Sequence, residues 1–175
     1  MIQRLLFIVF LFFLFLLEGT VFQWLVPDMW GASWTVIPSL SLIVVIMVAI
    51  YFGPVHGLIY GAFFGLLHDL TFGHMIGGYL FSFAIASYFS GQFIKQFQRH
   101  NVLAIFTILI GIIVQIMIVF GLYKLFNVTQ MELQWMVVRL LLPSVIANLI
   151  MAVILLHPLK KWFAKLGAVI ETPGA

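Results

Sequence analysis

Residues 53–78 read GPVHGLIYGAFFGLLHDLTFGHMIGG, with a glycine or an aspartate at every fourth position. These positions are Gly53, Gly57, Gly61, Gly65, Asp69, Gly73 and Gly77. Residues four apart lie on one face of an α-helix. Lipid gives helices no hydrophobic reason to associate, and small residues at this spacing let their backbones approach closely. The stretch therefore predicts a membrane helix over 54–70 that packs tightly through its glycine face, followed by a glycine-containing turn.

A second row of small residues follows in the next apolar stretch. It consists of Gly78, Ser82, Ala86 and Ser90. Two such rows in consecutive helices predict that helix 54–70 and helix 76–94 pack on each other as a tight hairpin. The alternative is that one row faces a helix of a partner protein. Both rows are therefore predicted sites of helix packing or partner contact.

The composition of the 175 residues indicates a membrane protein, because 65% of them are hydrophobic and only 7% are charged. A soluble domain carries about 25% charged residues. No polar stretch is long enough for a second, soluble domain. The absence of cysteine excludes disulfides and thiolate metal sites. The net charge of +3 is attributed to basic residues on the cytoplasmic face, and no nucleic-acid binding is predicted.

The apolar runs and their breaks predict an all-α fold of six transmembrane helices in a single domain over 1–175. A spanning helix needs about 20 mainly apolar residues. Pro27-Asp28 and Gly53-Pro54 mark two of the breaks. The first helix is interpreted as retained, because no signal-peptide cleavage pattern follows its apolar run. The predicted helices lie near 5–25, 35–52, 54–70, 76–94, 102–125 and 135–157.

Residues 159–170 combine an apolar face with a basic face. This pattern predicts a short amphipathic helix on the inner membrane surface, and a simple positively charged stop after the last span is the alternative. Cytoplasmic loops carry an excess of lysine and arginine. With the N-terminus inside, the outer side holds Lys124. The inner side then holds Arg4, Lys95, Arg99, Lys160, Lys161 and Lys165. Both termini are therefore predicted to be cytoplasmic.

Polar side chains inside the predicted helices form a second group of candidates. A charge at a helix centre costs about 2.5–3.5 kcal/mol on insertion scales, so each should face protein or water. Counting about 1.5 Å per residue places Glu18, Asp69 and Arg139 in the outer half of the bilayer. We predict a buried polar cluster of Glu18, Asp69, Gln115, Arg139 and Asn148, with Arg139 bridging Glu18 or Asp69. An ion pair that fixes helix order is favoured over a solute site or proton path.

The sequence offers little for catalysis or for metal binding. His68-Asp69 with His74 suggests a metal site, but zinc needs at least three ligands within reach. His56 would lie about 18 Å from His68 on the same helix. No His-Glu-x-x-His, Gly-x-Ser-x-Gly or phosphate-binding glycine motif is present. No catalytic, metal-binding or cofactor-binding residue is predicted.

The ladder Gly61-x3-Gly65-x3-Asp69-x3-Gly73-x3-Gly77 resembles the signature of the MreD family of rod shape-determining membrane proteins. Other features that resemble the family are Pro38 at the start of the second helix, Glu18 late in the first, and Arg139-x3-Pro143-x4-Asn148 in the last. Ser39 departs from the family, in which many members carry Asp or Asn after the proline. The resemblance covers the whole chain and is most specific over 57–80.

This resemblance implies a non-enzymatic component of the bacterial wall-elongation machinery, located in the cytoplasmic membrane. It implies binding to MreC and indirect association with MreB, RodA and a class B penicillin-binding protein, besides membrane lipids. The family is similar in fold to the S components of energy-coupling-factor transporters. Fold does not transfer function, but a small-solute-binding membrane subunit of a transporter is the alternative function. It requires a wet cavity with several convergent polar groups.

Overall fold

The computed structural model describes residues 2–22, 34–73, 75–97 and 100–167. Over these residues the fold consists of six helices without strands. The helices α1 and α6 each contain a π-helical turn, at Glu18–Phe22 and Val137–Leu141 respectively. The bounds are α1 Ile2–Leu17 with its π turn, α2 Leu40–Phe52, α3 Pro54–Phe72, α4 Gly78–Lys95, α5 Asn101–Leu125 and α6 Leu133–Lys165.

Helix α2 is the centre of the bundle. It is only 13 residues long, and its residues from Leu40 to Tyr51 are all buried. A helix that is apolar on every side is either a buried core helix or a membrane span, and its burial on all sides places α2 in the core. It begins at Leu40 rather than near residue 35, because residues 34–39 are not helical. Pro38 explains this difference, since proline lacks an N–H and disfavours helical geometry in the residue before it.

Helix α6 runs without a break through Pro158 to Lys165. The predicted amphipathic segment therefore begins as a continuation of the last helix, and its residues 168–170 lie outside the described part of the chain. Pro27, Asp28, His74 and Arg99 also lie outside it, as does the predicted end of the first helix at 23–25.

Among the residues that the structure describes, two helices are long and apolar enough to cross a membrane, namely Asn101–Leu125 with 25 residues and Leu133–Lys165 with 33 residues. The apolar helices Leu6–Thr20 and Leu40–Phe52 are shorter. At 1.5 Å per residue, α2 covers about 20 Å.

Contacts between the ends of helices show which helix termini lie at the same end of the bundle. The Lys160 side-chain nitrogen donates to Asn101 Oδ1 at 2.9 Å, which joins the end of α6 to the start of α5. The Phe7 ring lies 5.7 Å from the Trp162 ring, which adds the start of α1. Lys95 is the last residue of α4 and precedes the start of α5 at Asn101 by six residues. Lys124 lies in the last turn of α5, at the other end of that helix. Most of the described basic residues thus collect at one end.

Candidate functional site

The glycine face of α3 lies directly against α4. A Cβ atom added at Gly61 would lie 2.5 Å from Ser87 Oγ and 2.8 Å from the Phe83 carbonyl oxygen. One added at Gly65 would lie 2.5 Å from the Tyr79 carbonyl oxygen. These positions therefore require glycine, since carbon atoms do not approach the backbone so closely. The structure places this face inside the chain's own helix hairpin, where α4 covers it.

The row of α4 that meets these glycines is not the predicted one. It consists of Tyr79, Phe83, Ser87 and Gly91. Ser87 Oγ donates to the Gly57 carbonyl oxygen at 2.8 Å, and a Cβ at Gly91 would lie 2.8 Å from Pro54 Cα. The expectation that the two small rows pack on each other is therefore wrong by one residue, which is a rotation of about 100° around α4.

The predicted row of α4 is turned toward α5 instead. Gly78 lies nearest the Tyr123 ring, and Ser90 Oγ would lie 2.9 Å from a Cβ at Gly111. Ser82 is buried, and its hydroxyl donates to the Tyr79 carbonyl oxygen of its own helix.

Small and aromatic residues line an open groove of about 640 Å³ between α4 and α5. Ala86 and Ser90 lie in it beside Gly111. Phe89 and Phe93 also line the groove, and both side chains are exposed. Exposed aromatic side chains are typical of surfaces that bind a partner, whereas the small residues Ala86, Ser90 and Gly111 are buried and let α4 and α5 approach each other closely.

Asp69 holds the start of α4. Its carboxylate accepts hydrogen bonds from the backbone N–H groups of Gly77 at 2.9 Å, Tyr79 at 2.8 Å and Leu80 at 2.9 Å. The first N–H groups of a helix have no partner within the helix. The N-cap residue Gly77 has no side chain to supply one, so a buried aspartate from α3 acts as the cap. A negative charge at a helix N-terminus is favourable.

Two glycines shape the turn between Asp69 and α4. Gly77 has φ of +107°, a conformation that side-chain-bearing residues rarely adopt. A Cβ at Gly73 would lie 2.7 Å from the Asp69 carbonyl oxygen. The repeat from Gly61 to Gly77 therefore has one structural meaning, because it brings α3 and α4 together and allows an aspartate on one helix to cap the other.

The non-helical segment 34–39 is held in place by hydrogen bonds to α6. Ser39 N–H donates to Asn148 Oδ1 at 2.8 Å, and Asn148 Nδ2 donates to the Ile37 carbonyl oxygen at 2.8 Å. Thr35 N–H donates to the Arg139 carbonyl oxygen at 2.7 Å. That carbonyl lies in the π-helical turn of α6, where hydrogen bonding within the helix is disturbed. Non-helical backbone is tolerated at membrane depth only when it is paired inside the protein.

Replacing Asn148 by alanine tests this function of α6. We expect a loss of about 2–3 kcal/mol in the free energy of unfolding, because a buried N–H and a buried carbonyl lose their partners. Hydrogen exchange should become faster at the Ser39 amide, whose N–H loses its acceptor. Asn101→Ala, which removes only an exposed contact with Lys160, serves as the control and should change stability by less than about 0.5 kcal/mol. Equal effects of the two substitutions would contradict the assignment.

Glu18, Ser41 and His68 form a second buried polar site, which joins α1, α2 and α3. Glu18 Oε2 accepts from Ser41 N–H at 3.0 Å and from Ser41 Oγ at 2.7 Å. Glu18 Oε1 lies 3.2 Å from His68 Nε2. His68 Nδ1 lies 2.9 Å from the Phe64 carbonyl oxygen. Because a carbonyl only accepts, Nδ1 carries a proton, and one further proton must lie between Nε2 and the carboxylate.

This geometry differs from that of a nucleophilic triad. In such a triad the histidine contacts the serine through one ring nitrogen and the acid through the other. Here Ser41 Oγ and Glu18 both face Nε2, at 3.4 Å and 3.2 Å, and the Ser41 hydroxyl donates to Glu18 rather than to His68. The arrangement fixes three helices to one another and pairs a charge at membrane depth.

The two substitutions Glu18→Leu and Glu18→Gln should have clearly different effects. Leucine leaves the Ser41 donors and His68 unpaired, and breaking a buried pair costs about 3–5 kcal/mol. Glutamine can accept from Ser41 with its amide oxygen and donate to neutral His68 Nε2, so its cost should be less than half as large. Unfolding in mixed micelles measures both. Equal losses would show that the hydrogen bonds do not carry the stability.

The predicted polar cluster is divided among separate places in the structure. Among the described residues the ion pair is His68–Glu18, so the predicted bridge from Arg139 to Glu18 or Asp69 is absent. Both carboxylates are already paired within the bundle. Arg139 is exposed, and its guanidinium lies 5.6 Å from the centre of the Trp135 ring. Gln115 is buried, and its Oε1 has no hydrogen-bond partner in the described part of the chain.

Sequence reasoning missed Ser41 and Ser144 and considered His68 only as a metal ligand. Ser144 Oγ accepts from Ile37 N–H at 2.9 Å. The signal available was a polar residue in an otherwise apolar helix, as Ser41 is within Leu40–Phe52. In the part of the chain that the structure describes, no three His, Asp or Glu side chains come together in a way that could hold a metal ion.

Comparison with known proteins connects this architecture to a family. Residues 3–166 match the family described as rod shape-determining protein MreD. The rod shape-determining protein MreD of Bacillus subtilis (strain 168) is 26% identical over 129 residues, which cover 74% of this chain and 75% of that protein. No solved structure matches the chain. Because the family match covers nearly the whole chain, this protein belongs to the MreD family of rod shape-determining membrane proteins.

Proposed function

We propose that this protein is a non-enzymatic component of the bacterial wall-elongation complex, and that it binds the transmembrane helix of MreC. Through MreC it would associate with MreB, RodA and a class B penicillin-binding protein and help to organise peptidoglycan synthesis. Family membership supports a function in cell shape. The observation that carries the binding part of the proposal is the groove between α4 and α5.

The buried polar groups support a scaffold rather than a catalyst. Asp69, Glu18 and Asn148 each bind groups of the chain itself, and each joins two or more helices or segments. A scaffold requires such rigidity, because a surface that is already ordered loses less entropy when it binds.

The groove between α4 and α5 is the proposed site for the MreC helix. The glycine face of α3 cannot serve, since α4 already covers it. In the groove, the exposed rings of Phe89 and Phe93 would pack against the side chains of the MreC helix. Ala86, Ser90 and Gly111 are buried beneath them, where they hold α4 close to α5. Docking there would leave the internal α3–α4 hairpin unchanged.

The proposed orientation places both termini in the cytoplasm and the protein in the inner membrane as a multi-pass chain. Its support is the collection of Lys95, Lys160, Lys161 and Lys165 toward one end of the bundle, with Lys124 at the other. The basic end would then lie near cytoplasmic partners or anionic lipid.

Cysteine cross-linking to MreC tests the proposal, and the chain favours this method because it contains no cysteine. Phe89→Cys places a thiol in the groove. Ile154→Cys is the matched control, since both side chains are 62% exposed but Ile154 lies on α6. In cells that carry single cysteines along the MreC helix, Phe89→Cys should form disulfides at positions repeating every three to four residues. Efficient cross-linking to Ile154→Cys instead would place MreC on another face.

The alternative function is a small-solute-binding subunit of a transporter, with a fold similar to the S components of energy-coupling-factor transporters. The feature that favours it is a cavity of about 220 Å³ that both Glu18 and His68 line. This alternative predicts that a vitamin-like solute remains bound to the purified protein. The scaffold proposal predicts that MreC binding requires no such solute. A mass-spectrometric screen of the purified protein separates the two.

A further inference from the structure

Gln115 has a hydrogen-bonding atom that the chain does not satisfy. Its side chain is 2% exposed, and Oε1 has no hydrogen-bond partner among the described residues. Buried polar atoms in native proteins are nearly always paired, and an unpaired one needs an explanation. A carbonyl oxygen accepts only, so the missing partner must be an O–H or N–H donor.

Gln115 lies between two cavities. One has a volume of about 310 Å³ and lies between α5, the connection at 126–132 and α6. The other is the cavity of about 220 Å³ beside Glu18 and His68. Ile37, Tyr79 and Gln115 line both. The larger cavity has the size at which ligand pockets of proteins begin, about 300 Å³.

The wall of the larger cavity indicates the chemistry of an occupant. Most of the side chains that line it are apolar, among them Ile116, Val119 and Met136, and none is charged. An apolar cavity of about 150 Å³ already binds a benzene-sized molecule. An uncharged wall disfavours a charged solute, because it leaves the charge without a partner. The cavity therefore suits an apolar molecule with one donor.

We propose that the cavity beside Gln115 binds a neutral membrane amphiphile, whose apolar body fills the space between α5 and α6 and whose single hydroxyl or amide N–H donates to Gln115 Oε1. The site lies toward the end of the bundle opposite the basic residues, beside Val128, Thr129 and Met131. It is separate from the α4–α5 groove and does not depend on MreC binding.

Photolabelling of the purified, full-length protein in detergent tests this site. The probe is a diazirine analogue of 1-dodecanol, and its methyl ether is the matched compound without a donor. We expect saturable labelling of residues that line the cavity, with half-saturation by the alcohol at a concentration at least about fivefold lower than by the ether, as one hydrogen bond predicts.

Gln115→Leu removes the acceptor and keeps the volume of the side chain nearly unchanged. In this variant the alcohol and the ether should label equally. Gln134→Leu, at an exposed position, should retain the fivefold preference for the alcohol. Equal labelling by alcohol and ether in the unsubstituted protein, a preference that persists in Gln115→Leu, or labelling confined to lipid-facing residues such as Phe106 would overturn the proposal. Each of these results would leave water as the partner of Gln115 Oε1.

Discussion

Replacing Gly65 by leucine is expected to prevent α3 and α4 from packing on each other, so that the variant does not fold. A Cβ at this position would already lie 2.7 Å from Leu80 Cα and 2.5 Å from the Tyr79 carbonyl oxygen. Both are backbone atoms, so no side-chain rotation can relieve the clash. Gly65→Ala is the graded version of the test. Overpacking of this kind typically costs about 1–3 kcal/mol, which should exceed the gain of about 1 kcal/mol in helix propensity.

Gly121→Ala is the matched control for Gly65→Ala. Gly121 also lies within a helix, but a Cβ there would have nothing within 4 Å. Only the gain in helix propensity remains, so this variant should be as stable as the unsubstituted protein or slightly more stable. Thermal unfolding in detergent and yield after membrane extraction measure both variants. If both alanines had the same effect, the glycine face would not depend on close approach of α4.

Replacing Asp69 by alanine should have an effect of similar size through a different mechanism. The substitution removes three hydrogen bonds from backbone N–H groups at the start of α4. Hydrogen bonds to a charged group contribute about 1.5–3 kcal/mol each. Because the three share one carboxylate and are not additive, we expect a loss of about 3 kcal/mol or more.

Asp69→Asn distinguishes the cap from a simple requirement for a polar side chain. The side-chain amide nitrogen of asparagine is itself a donor. It would therefore face backbone N–H groups from which it cannot accept a hydrogen bond. We expect Asn to recover only part of the stability and the amides of Tyr79 and Leu80 to exchange faster. Glu132→Gln, at an exposed position, is the control for loss of a carboxylate and should have little effect. Full recovery with Asn would contradict the cap.

The close approach of α3 could be predicted from sequence, because a spacing of four describes a helix face directly. The surface that meets it could not. Gly78, Ser82, Ala86 and Ser90 form a row of small residues, whereas the row that meets α3 includes the aromatic residues Tyr79 and Phe83, whose backbone atoms make the contact. Periodicity identifies a helix face, but it does not show which residues of another helix pack against that face. The structure also explains the small residues of the predicted row, since Gly78 and Ser90 lie against Tyr123 and Gly111 of α5.

The pairing of the buried charges was harder to predict. Counting charges suggests that Arg139 neutralises a carboxylate, whereas Asp69 finds its partners in backbone N–H groups that carry no sequence signal. Glu18 likewise binds Ser41 and His68, two residues that a search for opposite charges passes over. The non-helical segment before α2 was also missed, although Pro38 was placed at the start of that helix.

Co-purification with MreC is the most direct test of the proposed function. MreC should be retained by the unsubstituted protein after extraction from membranes in mild detergent. Retention should fall several-fold in a Phe89→Ala/Phe93→Ala variant, which removes the aromatic side chains that line the groove. It should be unchanged in the control variant Phe63→Ala/Phe81→Ala, which removes two exposed phenylalanine side chains elsewhere. Failure of the folded, unsubstituted protein to retain any MreC would contradict the account.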